Sequence, residues 1–209
     1  GIISYLAFFG TILYAIGFVG NLVVPKTIDG EPQTSLAAAV LINASLLLLF
    51  ALQHSIMARP AFKRWWTRMI PKELERSSFV LLSSLCLMLL MWQWQPVGGI
   101  VWSVESKTAK DLLFIFYLAG WGIVFISTFL INHFDLFGLR QVWLYFNGNP
   151  YTELPFRLPG LYQLVRHPLY LGFLIAFWST PVMTVAHLLF ALLTTGYILT
   201  AIRFEERDL

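Results

Sequence analysis

Long apolar segments constrain the fold of this chain more than any other feature of its sequence. Four of them, at 2–24, 35–57, 77–95 and 111–131, have the length that a helix needs to cross a bilayer, which is about 20 apolar residues for roughly 30 Å of hydrocarbon. Charged residues make up only 12% of the chain, whereas soluble domains carry about 25%. The sequence therefore predicts an integral membrane protein and excludes an ordinary soluble domain.

The last apolar region, 168–204, is too long for a single span. Ser179, Thr180 and Pro181 interrupt it, and a proline inside a helix ends or kinks that helix. We therefore expect a hairpin of two shorter helices. The predicted fold is an all-α, polytopic integral membrane helical bundle with four full spans plus this C-terminal hairpin. That gives five to six membrane helices in one domain, 1–209.

Basic residues indicate how the spans are oriented. The loop from Arg59 to Arg76 carries six Lys and Arg side chains against two glutamates, and short cytoplasmic loops are enriched in such cations. With this loop in the cytoplasm, the loops 25–34 and 96–110 lie outside, and segment 132–167 and both termini lie in the cytoplasm. The first span is too long for a signal peptide and has no basic segment before it, so we expect it to be a true span.

The stretch "VRHPLYLG" places two basic side chains before an apolar helix. Pro168 suits the first helical position, because its missing N–H costs nothing there. His167 then lies near the N-cap, and the free N–H groups of the helix together with Arg166 attract an anion such as a carboxylate. The alternative is an arginine whose charge reaches the lipid headgroups while its stem packs against apolar surface.

The stretch "AIRFEERDL" places Glu205 and Glu206 side by side at the end of the last apolar region. Acidic side chains at a helix C-terminus oppose the helix macrodipole. These carboxylates are therefore unfavourably placed unless other groups compensate them, and Arg203 and Arg207 are the nearest cations in the sequence. The alternative is a solvated amphipathic tail.

A third polar stretch, "INHFDLFGLRQVWLYF", follows the fourth span. His133, Asp135, Arg140 and Gln141 lie there among aromatic residues, and polar side chains at membrane depth are functional candidates. Interfacial anchoring is the alternative.

Inside the second span, Gln53 and His54 lie about one turn before its basic end. Such a pair is often only an interhelical hydrogen bond. The sequence has no metal or phosphate-loop motif, although haem held by His54 and His187 stays open as an alternative.

The combination of "RHPLY", a helical hairpin and "EER" resembles the membrane methyltransferase superfamily that includes the isoprenylcysteine carboxyl methyltransferases. A closer resemblance covers almost the whole chain. The stretches "QHSIMARPAFKRWW", "FDLFGLRQVWLYF", "LPGLYQLVRHPLYLGF", "FWSTPVMTVAHLLFA" and "EERDL" are similar to the bacterial methanethiol S-methyltransferases, which make dimethyl sulfide. The resemblance implies a bacterial inner-membrane enzyme with a cytoplasm-facing site, a small thiol substrate and S-adenosyl-L-methionine as cofactor. It implies no nucleic-acid partner and leaves the oligomeric state open.

The resemblance also implies roles for particular residues. Gly172 would leave room for the ligand to approach the backbone. A simple thiol must lose its proton before it attacks, and its pKa is at least that of cysteine, about 8.5. The site therefore needs a base that takes the proton or a cation that stabilises the thiolate. The candidates for this catalytic step are His133, Asp135 and Arg140. The expected cofactor-binding residues are Tyr162, Arg166, His167, Tyr170, Leu171, Gly172, Glu205 and Glu206, and the expected substrate-binding residues are His54, Gln141, Thr180 and His187.

Two other functions stay open from the sequence. Within the same class, the acceptor is a lipid-like thiol, carboxylate or amine. In a different class, the chain is a haem-binding or small-solute transport protein, which would show no affinity for S-adenosylmethionine or its product.

Overall fold

The computed structural model describes residues 1–152 and 160–207. Five helices are long and apolar enough to cross a membrane, namely α1 (Ile2–Val19), α2 (Leu36–Ala58), α4 (Lys72–Gln93), α5 (Lys107–Ile131) and α10 (Val185–Arg207). The shorter helices are α3 (Pro60–Trp66), α6 (His133–Leu136), α7 (Leu139–Phe146), α8 (Leu161–Leu164) and α9 (Pro168–Trp178). Two short strands, β1 (Ile100–Ser103) and β2 (Val182–Thr184), pair antiparallel. The predicted all-α polytopic bundle is confirmed.

The C-terminal hairpin differs from the expected pair of short helices. Its first arm, α9, has 11 residues, but its second arm, α10, has 23 residues and is a full-length span. The break at 179–181 lies close to the start of the apolar region, and no proline follows it. The chain after β2 is therefore free to run as one uninterrupted helix.

The segment 132–167, predicted as a cytoplasmic loop, contains α6, α7 and α8. Its residues 153–159 lie outside the described part of the chain. A left-handed backbone position lies on each side of α6, with φ of 107° at Asn132 and 79° at Gly138. The chain therefore turns sharply after α5 and again after α6, so that α6 and α7 pack across the end of the bundle rather than extending from it.

The helices form an antiparallel bundle with two distinct ends. We call the basic end the one that gathers the start of α1, the loop after α2, α6, α7 and the end of α10. Tyr5 bonds His133 there at 2.8 Å, the Ser77 hydroxyl donates to Gly138 O at 3.1 Å, and the Arg59 guanidinium lies 5.2 Å from the centre of the Phe204 ring. The sequence predicted that these segments share one side of the membrane.

The opposite end, which we call the sheet end, carries the β1–β2 pair. Buried Asn43 joins α2 to the end of α4, because its side chain both donates to Gln95 O and accepts from Gln95 N, each at 2.8 Å. Trp94 is completely buried and donates to Ile28 O at 3.0 Å. Thr184 of β2 bonds Asp29 in the loop after α1. These bonds connect four segments distant in sequence and close this end.

Helices α5 and α9 pack closely through glycine. A Cβ atom added at Gly120 would lie 2.6 Å from Ala176 N, and one added at Gly172 would lie 2.8 Å from Gly120 O. The space that we expected Gly172 to leave for a ligand is therefore filled by α5. Gly172 allows α9 to pack closely against α5, and this packing sets the position of α9 and of the residues that precede it.

Candidate active site

The start of α9 meets the end of α10 at the basic end. His167 Nδ1 lies 3.7 Å from Glu205 Oε2, and His167 Nε2 lies 3.6 Å from Glu206 Oε1. Arg166 Nη1 lies 3.6 Å from Glu206 Oε1, and the Tyr170 hydroxyl donates to Glu205 Oε2 at 3.4 Å. We call these five residues the cradle. The structure brings together the two stretches that the sequence singled out separately.

Local geometry explains why the cradle forms at this place. Pro168 occupies the first turn of α9 and His167 is its N-cap residue, so both basic side chains lie at the helix start. Farther along the hairpin, Trp178 Nε1 donates to Thr195 Oγ1 at 3.0 Å, and this bond fixes the register of α9 against α10. The antiparallel register then places the end of α10 beside the start of α9.

The cradle has hydrogen-bonding capacity that its own contacts leave unused. The His167 side chain is only 16% exposed, and its Nε2 has no hydrogen-bond partner within the described residues. The side chains of Glu205 and Glu206 are 53% and 43% exposed. Their distances to Arg166 and His167 exceed hydrogen-bond length. The cradle therefore offers both carboxylate acceptors and side-chain N–H donors to a ligand that carries the complementary groups.

Two further predicted cofactor residues lie near the cradle. Burial, and then the charge of Glu205, raise the pKa of the Tyr162 hydroxyl, so this ring is close to the glutamate and stays protonated at neutral pH. Leu171 is partly exposed, and its backbone N–H donates to His167 O at 3.1 Å. Both positions are compatible with a ligand that lies over the start of α9.

A second polar cluster forms where α6 meets α7. Asp135 Oδ1 pairs with Arg140 Nη1 at 3.0 Å, and Asp135 Oδ2 accepts from the Tyr151 hydroxyl at 3.1 Å. Arg140 also donates to Thr152 O and Thr152 Oγ1, and Gln141 donates to Asp135 O at 3.0 Å. We call these five residues the Asp135 cluster. Both oxygens of its carboxylate have protein partners, so Asp135 chiefly holds Arg140 in place.

His133 is buried with both ring nitrogens bonded. Thr128 donates its hydroxyl proton to Phe125 O at 2.7 Å, so His133 Nδ1 is the donor in its 2.8 Å bond to Thr128. His133 Nε2 then accepts from the Tyr5 hydroxyl at 2.8 Å, and burial lowers the pKa of the imidazole. In this arrangement His133 joins α1 to α5 and α6, and its basic nitrogen is already occupied.

His54 lies at the interface of α2 with α4, one turn before the end of α2. Its Nδ1 bonds Ser83 Oγ at 3.2 Å, and its ring contacts Phe50, with the ring centres 5.3 Å apart. On the neighbouring face of α2, Ser55 Oγ bonds the Tyr197 hydroxyl of α10 at 3.1 Å. These hydroxyls connect α2 to the helix that carries the cradle glutamates. His54 is therefore in the same half of the bundle as the cradle.

Thr180 and His187 do not join either cluster, and their contact with the substrate stays a prediction. Thr180 donates to Val182 O beside the strand pair, and buried His187 bonds Phe177 O at 2.8 Å. His187 precedes Glu205 by eighteen residues on α10, which is about 27 Å along a helix. The same separation keeps His187 away from His54, so the pair that could have held haem is not assembled. Across the described residues, no group of three or more His, Cys, Asp or Glu side chains could hold a metal ion.

Several residues that contact these clusters were not predicted from the sequence. Tyr197 had a usable signal, because it lies eight residues before Glu205 and therefore on the same face of α10. Tyr5, Thr128 and Tyr151 had none, since their partners lie in other helices or loops.

Known proteins resemble this chain over its whole length. The methanethiol S-methyltransferase of Crocosphaera subtropica is 56% identical over 209 residues, which is 100% of this chain and 82% of that protein. The one of Mycobacterium tuberculosis is 53% identical over the same 209 residues, 86% of its length. Mouse Nurim is more distant, with 31% identity over 183 residues, or 84% of this chain and 70% of Nurim. No protein-family model matches the chain, and no solved structure matches it.

The comparisons agree with the resemblance that the sequence motifs indicated. Identity above 50% across the full chain includes both the cradle helices and the segment of the Asp135 cluster. The chain is therefore a membrane-embedded thiol S-methyltransferase that belongs to the methanethiol S-methyltransferase family.

Proposed function

We propose that the chain transfers a methyl group from S-adenosyl-L-methionine to methanethiol and releases dimethyl sulfide, at the basic end, facing the cytoplasm. The observation that carries the proposal is the cradle, in which Arg166, His167 and Tyr170 at the start of α9 meet two carboxylates at the end of α10. The names of the relatives support the acceptor. The six cations of the loop after α2 support the cytoplasmic orientation.

The cradle fits the polar groups of this cofactor. Arg166 and the free N–H groups at the start of α9 suit the carboxylate of the methionine moiety. Glu205 and Glu206 suit the amino group and the ribose hydroxyls, since ionised carboxylates are strong acceptors. The rings of Tyr162 and Tyr170 offer apolar faces for adenine, and unpartnered His167 Nε2 has capacity for one more polar contact. When bound, the cofactor supplies an electrophilic methyl group on a positively charged sulfur.

The placement of the site also suits the reaction. A thiolate and a sulfonium become two neutral products, so charge disappears toward the transition state, and a water-poor pocket disfavours the charged reactants more than that state. Holding both reactants in line contributes further, with about 7–11 kcal/mol as the ceiling. A small apolar thiol reaches such a pocket through the lipid as readily as through water.

We further propose that the Asp135 cluster stabilises the negative charge of the thiolate. Arg140 stabilises the thiolate, and Asp135 orients Arg140 through their 3.0 Å ion pair. Gln141 and His54 are the proposed contacts of the acceptor. His133 takes the thiol proton only if its bond to Tyr5 opens, so its first role is to hold α6 against α1.

The test of the whole proposal is an assay of purified protein with S-adenosylmethionine and methanethiol. Gas chromatography should detect dimethyl sulfide, and calorimetry should detect binding of S-adenosylhomocysteine. Cofactor turnover with a lipid thiol, carboxylate or amine but not with methanethiol would transfer the proposal to that acceptor class. Absence of cofactor binding would refute the cradle as a cofactor site.

The cradle itself is tested by the double variant Glu205→Gln, Glu206→Gln. Each lost charge-assisted hydrogen bond contributes about 1.5–3 kcal/mol, so the Kd of S-adenosylhomocysteine should rise at least about tenfold. The matched control is Glu31→Gln, Glu105→Gln, which removes two exposed carboxylates from loops at the sheet end. An unchanged Kd in the cradle variant would reduce these glutamates to a solvated tail.

The variant Asp135→Asn tests the second cluster. Asparagine keeps the size of the side chain but removes the charge that holds Arg140, so kcat should fall while the Kd of the cofactor changes little. The loss should be greatest at neutral pH, where little of the thiol is ionised. A wild-type rate at neutral pH would remove Asp135 from the mechanism.

A further inference from the structure

A cavity lies at the basic end beside the Asp135 cluster, which contributes Asp135, Gln141 and Tyr151 to one of its walls. Its volume is about 650 Å³, and it opens where the loop after α2 and the start of α4 face α6. Four cations line it, Lys63, Arg64, Lys72 and Arg76, and no cradle residue is among its described lining. Nothing in the proposed methyl transfer uses these four cations.

Arg76 has donor capacity that its own contacts leave unused. Its side chain is partly buried, and its Nε donates to Leu136 O at 2.6 Å, while its two terminal nitrogens have no hydrogen-bond partner among the described residues. Asp135 lines the same cavity but is engaged by Arg140 at 3.0 Å and by Tyr151 at 3.1 Å. In the described part of the chain, no carboxylate lies within 4.0 Å of Arg76. Glu75 and Asp135 attract the Arg76 charge only from beyond that distance, so its forked guanidinium retains donors for an anionic ligand.

The remaining charges of the cavity point the same way. Glu73 and Glu75 also line it, but neither pairs with a cation within 4.0 Å among the described residues. The four cations outnumber the three lining carboxylates, and the charge of Asp135 is already neutralised by Arg140. The cavity therefore keeps an excess of positive charge.

The surroundings identify the kind of anion. Two large apolar side chains of the adjoining segment are exposed, Trp65 at 49% and Met69 at 66%, and Ile131 of the lining is 40% exposed. Aromatic residues and cations mixed in this way are typical of the headgroup layer of a bilayer. The ends of α2, α4 and α5 that surround the cavity are also the ends of membrane spans.

We propose that this cavity binds the phosphate of an anionic phospholipid headgroup. The guanidinium fork of Arg76 donates to two phosphate oxygens, and the cations Lys63 and Lys72 add point charges. The acyl chains remain in the bilayer beside the spans. Because α6 and the Asp135 cluster form the opposite wall, a bound lipid also steadies the segment that follows α5.

The test is a lipid titration of the purified full chain in detergent, read by native mass spectrometry. Phosphatidylglycerol should bind as a single resolved adduct at least about tenfold more tightly than phosphatidylcholine, and Arg76→Gln should remove this preference. Lys63→Gln with Lys72→Gln should weaken it as well, and this pair serves where Arg76→Gln fails to fold. Arg68→Gln is the matched control, since Arg68 is an exposed cation of the same loop that does not line the cavity.

Three results would overturn the proposal. Equal affinity for the two lipids would mean that the cavity does not recognise headgroup charge. An equal loss in Arg68→Gln would mean that the attraction is a general property of the basic loop. Displacement of phosphatidylglycerol by S-adenosylhomocysteine, or binding of inorganic phosphate without any lipid preference, would assign the cavity to a soluble ligand instead.

Discussion

The contact between α5 and α9 predicts that Gly120→Ala is damaging although it adds a single methyl group. The new Cβ would lie 2.6 Å from Ala176 N, 2.8 Å from Gly172 O and 3.0 Å from Ala176 Cα. All three are backbone atoms, which no rotamer change can move. Helix α9 must therefore shift by several tenths of an ångström to restore ordinary contact.

The magnitude follows from two opposing effects. Overpacking of this kind costs about 1–3 kcal/mol, whereas alanine in place of glycine stabilises a helix interior by up to about 1 kcal/mol. The control Gly122→Ala isolates the second effect, because nothing lies within 4 Å of its added Cβ on the same helix. About 1 kcal/mol corresponds to 2–4 °C in Tm for a chain near this size. The Tm of Gly120→Ala should therefore lie several degrees below the Tm of Gly122→Ala.

The shift of α9 also changes the cradle. His167 and Tyr170 begin the helix that moves, whereas Glu205 and Glu206 belong to α10 and stay. Gly120→Ala should therefore raise the Kd of S-adenosylhomocysteine, with Gly122→Ala close to wild type, as measured by calorimetry after thermal scanning. Equal Tm values for the two alanine variants would refute the argument that close glycine packing positions α9.

Two further predictions concern buried polar groups. Because burial lowers the pKa of His133 below its ordinary value of about 6.5, the unfolded chain binds more protons below that pH, and stability should fall as pH falls through about 6.5. A His133→Gln variant should lose less Tm than wild type between neutral pH and about pH 5, and an identical loss would contradict this. Asn43→Leu should lower the free energy of unfolding by at least about 2 kcal/mol, because it leaves Gln95 N and Gln95 O without their partners. A thermal scan measures this loss, and wild-type stability would show that water replaces the amide.

Sequence reasoning located the membrane helices to within a few residues. The predicted span 35–57 is α2, Leu36–Ala58, and 111–131 lies within α5, Lys107–Ile131. The start of α4 was missed by five residues, because its first turn is charged. Glu73 and Glu75 in that turn suit the positive end of a helix dipole, so the helix continues beyond the apolar run.

The meeting of the cradle's two halves was predictable because they border the two apolar helices of the hairpin. The hairpin forces the start of α9 and the end of α10 together, so two motifs that flank it must meet. The roles of His133 and Gly172 were not predictable in the same way. Tyr5 occupies the basic nitrogen of His133, and α5 fills the space beside Gly172, and neither neighbour is close in sequence.

The sequence by itself determined that this chain is a helical membrane protein with most of its basic residues at one end. A backbone in hydrocarbon must satisfy its hydrogen bonds within a helix, so length and hydropathy are sufficient to identify the spans. Only the tertiary structure decided which polar side chains meet. It placed Thr180 and His187 at the sheet end, paired Asp135 with Arg140, and put Arg76 beside a cavity with no ion pair within 4.0 Å among the described residues. Those outcomes depend on how helices far apart in sequence pack against one another, which no local pattern specifies.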